Sequence, residues 1–216
     1  MKMQLFRSLI LIIFFQGCSS LSVYRELFEN ISNLLTTPED IREEIIDKIP
    51  YDTMQVSIGR SENTLIVLEE VIGESFKWTS SNLVKIYTKN GFIYRLTGLG
   101  NELENIELDK NHPFAENSFQ HIDLLSTTSF YTFDNPKLFR LPIKSNIYYL
   151  RDEIIEILGR KLKTKVYKES VEQNLINWSF DNLYWIDERG KLVKSVQHIS
   201  PKHPPVKTLH HIKQKA

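Results

Sequence analysis

Leu83-Val84-Lys85-Ile86-Tyr87-Thr88-Lys89-Asn90-Gly91-Phe92-Ile93-Tyr94-Arg95-Leu96-Thr97 is the stretch that settles the fold class. Asn-Gly between two runs of branched and aromatic residues is the strongest short hairpin signal, because both residues of a two-residue turn take positive φ. With Asn90-Gly91 as the loop, Tyr87 is expected opposite Tyr94 and Lys85 opposite Leu96. The alternate face then holds Val84, Ile86 and Ile93 with Thr88, Thr97 and Arg95. Both faces carry apolar groups, so both are expected to be partly covered.

Upstream, Met54, Val56 and Ile58 alternate with Gln55 and Ser57, a period of two that reads as a strand. Thr64–Val71 and Phe76–Ser80 read as two more. Ahead of them the period lengthens. Thr37-Pro38-Glu39-Asp40 combines a capping residue, a proline suited to the first helical position and acids suited to the positive dipole end. Ile41, Ile45, Ile46 and Ile49 line one side, and Pro50 ends the run, so Pro38–Lys48 is expected as a helix. Leu21, Tyr24, Leu27, Phe28, Ile31, Leu34 and Leu35 mark an earlier amphipathic helix over Ser22–Leu35. Its apolar face is expected to pack on the domain's own sheet.

Downstream, Gly98-Leu99-Gly100 breaks the strand, and polar Asn101–Pro113 reads as a loop or a short turn of helix. Ile122–Leu125, Thr128–Phe133 and Ile143–Leu150 read as strands, with Asp134-Asn135-Pro136 a turn. Glu153–Leu158 fits either a helix turn or a buried strand. Lys163–Val171 alternates as an exposed strand would. Ile176–Phe180, Leu183–Asp187 and Lys191–Ile199 follow, with Gly190 available for a left-handed turn position. Residues 202–216, with Pro204-Pro205, are expected to form an extended, loosely held tail in which Val206–Ile212 can add a short strand. The sum is an antiparallel, strand-rich domain behind two helices.

The first residues carry a different message. Lys2 and Arg7 precede an apolar run from Leu9 to Phe15, then Gln16-Gly17 and the chain's one cysteine, Cys18. That is the layout of an export signal. The run is too short for a bilayer core, which needs about 20 residues. A lone Cys in an exported chain has no disulfide partner and needs another use. Residues 1–17 are therefore read as a signal peptide, 18–21 as the exported N-terminus and short linker, and 22–201 as one β-rich domain before the tail.

The chain balances 27 basic against 27 acidic residues. Residues 1–17 hold Lys2, Arg7 and no acid, so the remainder carries 25 against 27. Such a balance gives no electrostatic footprint for nucleic acid. A hydrophobic content of 41% argues against disorder. Glycine-rich phosphate loops, zinc patterns and nucleophile elbows are absent from the sequence.

Gly17-Cys18 at the end of the apolar run resembles the lipobox of bacterial lipoproteins. Further along, an ordered series resembles one lipoprotein family: Pro50-Tyr51, Leu65–Leu68, Trp78–Ser81, Thr88–Gly91, Leu96–Leu99, Trp178–Asn182, Tyr184–Asp187, Gly190, Ser195–Gln197 and Pro201. The chain resembles the YjbF-like lipoproteins of group 4 capsule and exopolysaccharide operons. The resemblance implies cleavage before Cys18, an S-diacylglycerol and an N-palmitoyl chain on that residue, and no other cofactor. It implies an outer-membrane protein facing the periplasm, with polysaccharide-export proteins as partners. Ser19, in place of an acid, resembles the outer-membrane sorting mark. The implied fold is mainly β: a single antiparallel meander curved as a half-barrel round the two N-terminal helices. The family supplies no catalytic residues to carry over.

Three constellations remain. His198, His203, His210 and His211 invite a metal, but His210 and His211 face opposite ways in a strand and no spacing supports a ligand set, so no metal is expected. Asp181, Asp187 and Glu188 stand near aromatics, yet glycosidase chemistry needs two facing carboxylates about 5–9.5 Å apart. Tyr148, Tyr149, Trp178, Tyr184 and Trp185 form either a ligand-stacking surface or ordinary core. The leading functional expectation is a non-enzymatic accessory lipoprotein in polysaccharide export or assembly. A lipid- or lipoprotein-binding half-barrel is the second, for which a filled interior would be adverse. A polysaccharide-modifying enzyme is the third.

Overall fold

The computed structural model describes residues 46, 48–100, 103–119 and 122–211. Among these residues, twelve strands follow one another in antiparallel order. They are β1 Thr53–Ile58, β2 Thr64–Ile72, β3 Ser75–Thr79, β4 Lys85–Lys89, β5 Phe92–Thr97 and β6 Leu103–Glu107. After a short helix α1, Pro113–Glu116, come β7 Leu125–Phe133, β8 Leu138–Ile157, β9 Arg160–Gln173, β10 Trp178–Asp187, β11 Leu192–Gln197 and β12 Val206–His211.

The sheet is a closed barrel, not the expected half-barrel. Closure comes from the segment expected as a loose tail. β12 pairs with β11 and, from Thr53↔His211 to Ile58↔Val206, with β1. Val206 is fully buried. Joining the first and last strands leaves no open sheet edge among the described residues.

The Asn90-Gly91 turn forms as read. Both residues have positive φ, 51° and 84°, and Lys89 pairs with Phe92. Beyond the turn the register departs from expectation. A bulge leaves Tyr94 without a pairing partner, so Tyr87 faces Arg95 and Lys85 faces Thr97. The extra residue lets Ile93 and Leu96 both join the interior with Ile86. The stretch read as separate elements over 143–158 is one strand, β8, and β10 likewise runs unbroken through Asp181-Asn182. β6 lies in a stretch read as loop or helix turn. Gly190, at φ 78°, closes the β10–β11 turn, its amide donating to the Asp187 carbonyl.

Strand alternation sorts residues into two layers. Met54, Val56, Ile66, Trp78, Ile86, Leu96, Ile143, Ile147 and Val171 belong to the interior. A second cluster, Ile155, Ile157, Val166, Trp185 and Val193, lies on the other face of β8–β11. The expected helix Ser22–Leu35 falls outside the described residues. Of Pro38–Lys48, Ile46 and Lys48 are described, and both are helical. Buried Ile46 and Ile49 pack with Leu65 and Val67, which alternate with interior Ile66 and so point outward. The interior is therefore not wrapped round this helix end. A twelve-strand wall is wider than the roughly eight strands whose side chains alone fill a lumen, so the space needs a further filler. The segment between β6 and β7 supplies it.

Candidate functional site

The filler begins with His112-Pro113-Phe114. His112 caps α1, its Nδ1 accepting the Phe114 amide at 3.4 Å, and Pro113 takes the first helical position where no amide hydrogen is needed. Asn117 ends the helix in left-handed geometry, φ 53°. Phe114 is 1% exposed, and its ring lies 4.7 Å from Phe119, 4.8 Å from Tyr184 and 5.1 Å from Phe92. Two hydrogen bonds tie this plug to the wall: Asn90 Nδ2 donates to the Phe114 carbonyl, and Tyr167 OH to that of Phe119, each at 2.9 Å. The hairpin asparagine thus serves both turn and plug.

Behind the plug sits a buried polar centre. Glu169, 2% exposed, accepts from Tyr184 OH at 2.6 Å, Asn182 Nδ2 at 2.9 Å and His112 Nε2 at 3.4 Å. Because His112 Nδ1 already accepts, Nε2 carries the hydrogen. The His198 amide donates to Asn182 Oδ1 at 2.7 Å, which leaves the Asn182 amino group for Glu169. Burial alone would raise the Glu169 pKa, but the His112, Tyr184 and Asn182 donors outweigh it and hold it at about 2. Burial, reinforced by the Glu169 charge, pushes the Tyr184 and Tyr131 hydroxyls well above the usual tyrosine value. A carboxylate held ionised and saturated with donors is suited to fastening the plug, not to giving up a proton.

At the end of the barrel where the β8–β9 hairpin and the β10–β11 turn meet the plug lies an open recess of about 1090 Å³. Phe119, Ile122, Tyr167 and Ile186 line it, with Tyr149 and charged side chains around them.

The remaining residues singled out from sequence are dispersed. Trp178 and Tyr184 point into the barrel, the Trp178 ring 4.3 Å from Phe180 and tilted 43° to it. Trp185 is buried on the other face, with Lys194 Nζ 4.5 Å over its ring, and half-buried Tyr148 pairs across to Lys168 on that face. These four aromatics share no one surface; Tyr149 alternates with Tyr148 and borders the recess. Asp181 is bound by Lys168 at 2.7 Å and by Ser170. Asp187 caps the β10–β11 turn, accepting the Arg189 and Lys191 amides. The two acids stand six positions apart on one strand, about 20 Å, well beyond glycosidase spacing. His210 points inward, 5.9 Å from Trp78, while His211 points outward to Thr53 Oγ1 at 3.2 Å. His198 lies 4.9 Å from Phe180. The His203 and His210 Nε2 atoms are buried without a hydrogen-bond partner. Among the described residues, no group of three or more His, Cys, Asp or Glu could hold a metal ion. Cys18 and Ser19 lie outside the described residues.

Sequence reading missed Glu169. Its signal was available: with period two, Tyr167, Glu169 and Val171 share a face, and a carboxylate flanked two residues away by apolar groups points inward. Its partner His112 had no such signal, being in a stretch without period.

Fold and site define a closed antiparallel barrel with a lumen plugged by its own loop and a recess of mixed apolar and charged lining at one mouth. The chain belongs to the YjbF family: the model described as "Group 4 capsule polysaccharide lipoprotein gfcB, YjbF" matches residues 12–209. It is thus a member of a capsule polysaccharide-associated lipoprotein family, as its residue series implied. The uncharacterized lipoprotein GfcB of Escherichia coli K12 is 24% identical over 148 residues, 68% of this chain and 69% of GfcB. The crystal structure of the hypothetical lipoprotein YmcC from Escherichia coli K12 superposes with a TM-score of 0.76 at 21% identity, covering 94% of this chain and all of YmcC. That likeness shows the fold. That these relatives are lipoproteins supports a membrane-anchored lipoprotein here as well.

Proposed function

We propose that the protein is an outer-membrane lipoprotein, held by acyl chains on Cys18, that faces the periplasm and acts as a non-enzymatic accessory factor in capsule or exopolysaccharide export or assembly. The observation that carries this reading is the family match, which runs through Cys18 and on across the barrel to residue 209. Ser19 next to the anchor is consistent with outer-membrane sorting. The non-enzymatic part draws support from the acids: Glu169 is sealed and saturated, Asp181 is ion-paired and Asp187 is a turn cap. The alternative of a lipid-carrying interior is disfavoured, because Phe114, Phe119, Tyr131, Phe133 and Trp178 already occupy the lumen.

The test is a deletion strain grown under conditions that express the locus, complemented with the wild-type or the Cys18→Ser gene. Capsule or exopolysaccharide output should fall on deletion and be restored by the acylated protein. Unchanged output and composition after deletion would refute the role.

A further inference from the structure

We infer that the recess at the β8–β9 mouth is a saccharide-binding site, taking a short, neutral or sparsely charged segment of a polysaccharide with one sugar ring seated on Tyr149. The inference rests on the proposed polysaccharide role and gives that role a location.

Three observations lead there. The first is shape. At about 1090 Å³ the recess is slightly larger than the roughly 300–1,000 Å³ usual for ligand sites, room for several sugar rings rather than one. The second is the aromatic row across the strands, Tyr149 to Tyr167 to Tyr184. Tyr167 and Tyr184 are buried, whereas Tyr149 is 41% exposed and stands edge-on to Tyr167 at 6.1 Å. Its ring is thereby braced with a face left open, and an aromatic face is complementary to the C–H face of a sugar.

The third is the balance of charge above that row. Lys163, Lys165 and Tyr167 alternate along one face of β9, with Ile154, Asp152 and Tyr149 opposite them on β8. Two of the lining acids are committed: Glu153 to Arg151 at 2.6 Å and Asp187 to Arg189 at 3.0 Å. Asp152 is engaged by the Tyr149 hydroxyl. Among the described residues, Asp123, Glu188, Lys163 and Lys165 line the recess without an ion-pair partner. Two free carboxylates accept hydrogen bonds and two free ammonium groups donate them. A polyanion would meet the carboxylates and a polycation the ammonium groups. A sugar hydroxyl donates one hydrogen bond and accepts others, and so suits both.

The experiment uses the detergent-solubilised, acylated full chain and short oligosaccharides prepared by partial acid hydrolysis of the source strain's own capsular or exopolysaccharide. Binding is measured by calorimetry, with saturation-transfer NMR to show ring protons in contact. Wild type should bind. Tyr149→Ala should weaken binding tenfold or more and Lys165→Ala several-fold. Phe139→Ala, 79% exposed at the opposite mouth, should change nothing. Lys165 is itself exposed, so its variant tests the site without challenging the fold, and melting temperature checks both. Absence of wild-type binding, or equal binding by wild type, Tyr149→Ala and Lys165→Ala, overturns the inference. The deletion strain separates the two readings. Full complementation by both variants, with unweakened binding, removes the recess and leaves the accessory role. Unchanged output on deletion removes the role, while the binding arm still decides the recess.

Discussion

Replacing Glu169 by Gln removes the charge at the centre of the barrel and keeps the side chain's size. The amide oxygen can take the Glu169 oxygen that Tyr184 and Asn182 share, which leaves its amino group facing His112 Nε2. His112 Nδ1 is occupied by the Phe114 amide, so donor then meets donor. The charge sets the larger cost. With a folded pKa of about 2 against the ordinary 4.5, ionised Glu169 contributes about 3 kcal/mol at neutral pH. The pKa is depressed on folding, so this contribution is complete above about pH 4.5 and is lost as pH falls towards 2. His210 and His211 act in a different window. Burial holds both at about 4, below the ordinary 6.5, so their burial costs stability as pH drops from 6.5 towards 4, equally in both proteins. Urea unfolding followed by tryptophan fluorescence, repeated from pH 7 to pH 2, should show Glu169→Gln less stable by about 3 kcal/mol at pH 7, with the gap closing below pH 4.5. A gap as large at pH 2 as at pH 7, or none at pH 7, would refute the reasoning.

Phe114→Ala removes the ring that meets Phe92, Phe119 and Tyr184, and should cost about 3–5 kcal/mol, read as a lowered urea midpoint. Gly91→Ala places a Cβ 2.8 Å from Leu192 Cβ at a φ of +84°, and should cost roughly 1–3 kcal/mol, measured by thermal melting. Ending the chain after Pro205 deletes β12 and exposes β1 and β11 as edges; the product should aggregate, as light scattering would show. Cys18→Ser should abolish palmitate labelling and membrane retention, and Ser19→Asp should move the protein towards the inner membrane on fractionation.

The sequence by itself determined that the domain is antiparallel and strand-rich and marked most of its strands, but not β6 or the continuity of β8. Local chemistry was sufficient: Asn90-Gly91 demanded positive φ, Gly190 offered it, and alternation over Met54–Ile58 and Lys163–Val171 marked strands. It also carried the family, through residues spaced along nearly the whole chain, and the candidate anchor at Cys18. Tertiary structure alone decided that the sheet closes. Whether Thr53 meets His211 depends on strand twist accumulated over twelve strands and on one-residue bulges such as that at Tyr94, and neither leaves a local mark. It alone placed Trp178 and Trp185 on opposite faces and carried β8 through the polar Arg151-Asp152. It alone brought His112 to Glu169, 57 residues away, because the pair forms only when a closed wall has a lumen for a loop to fill.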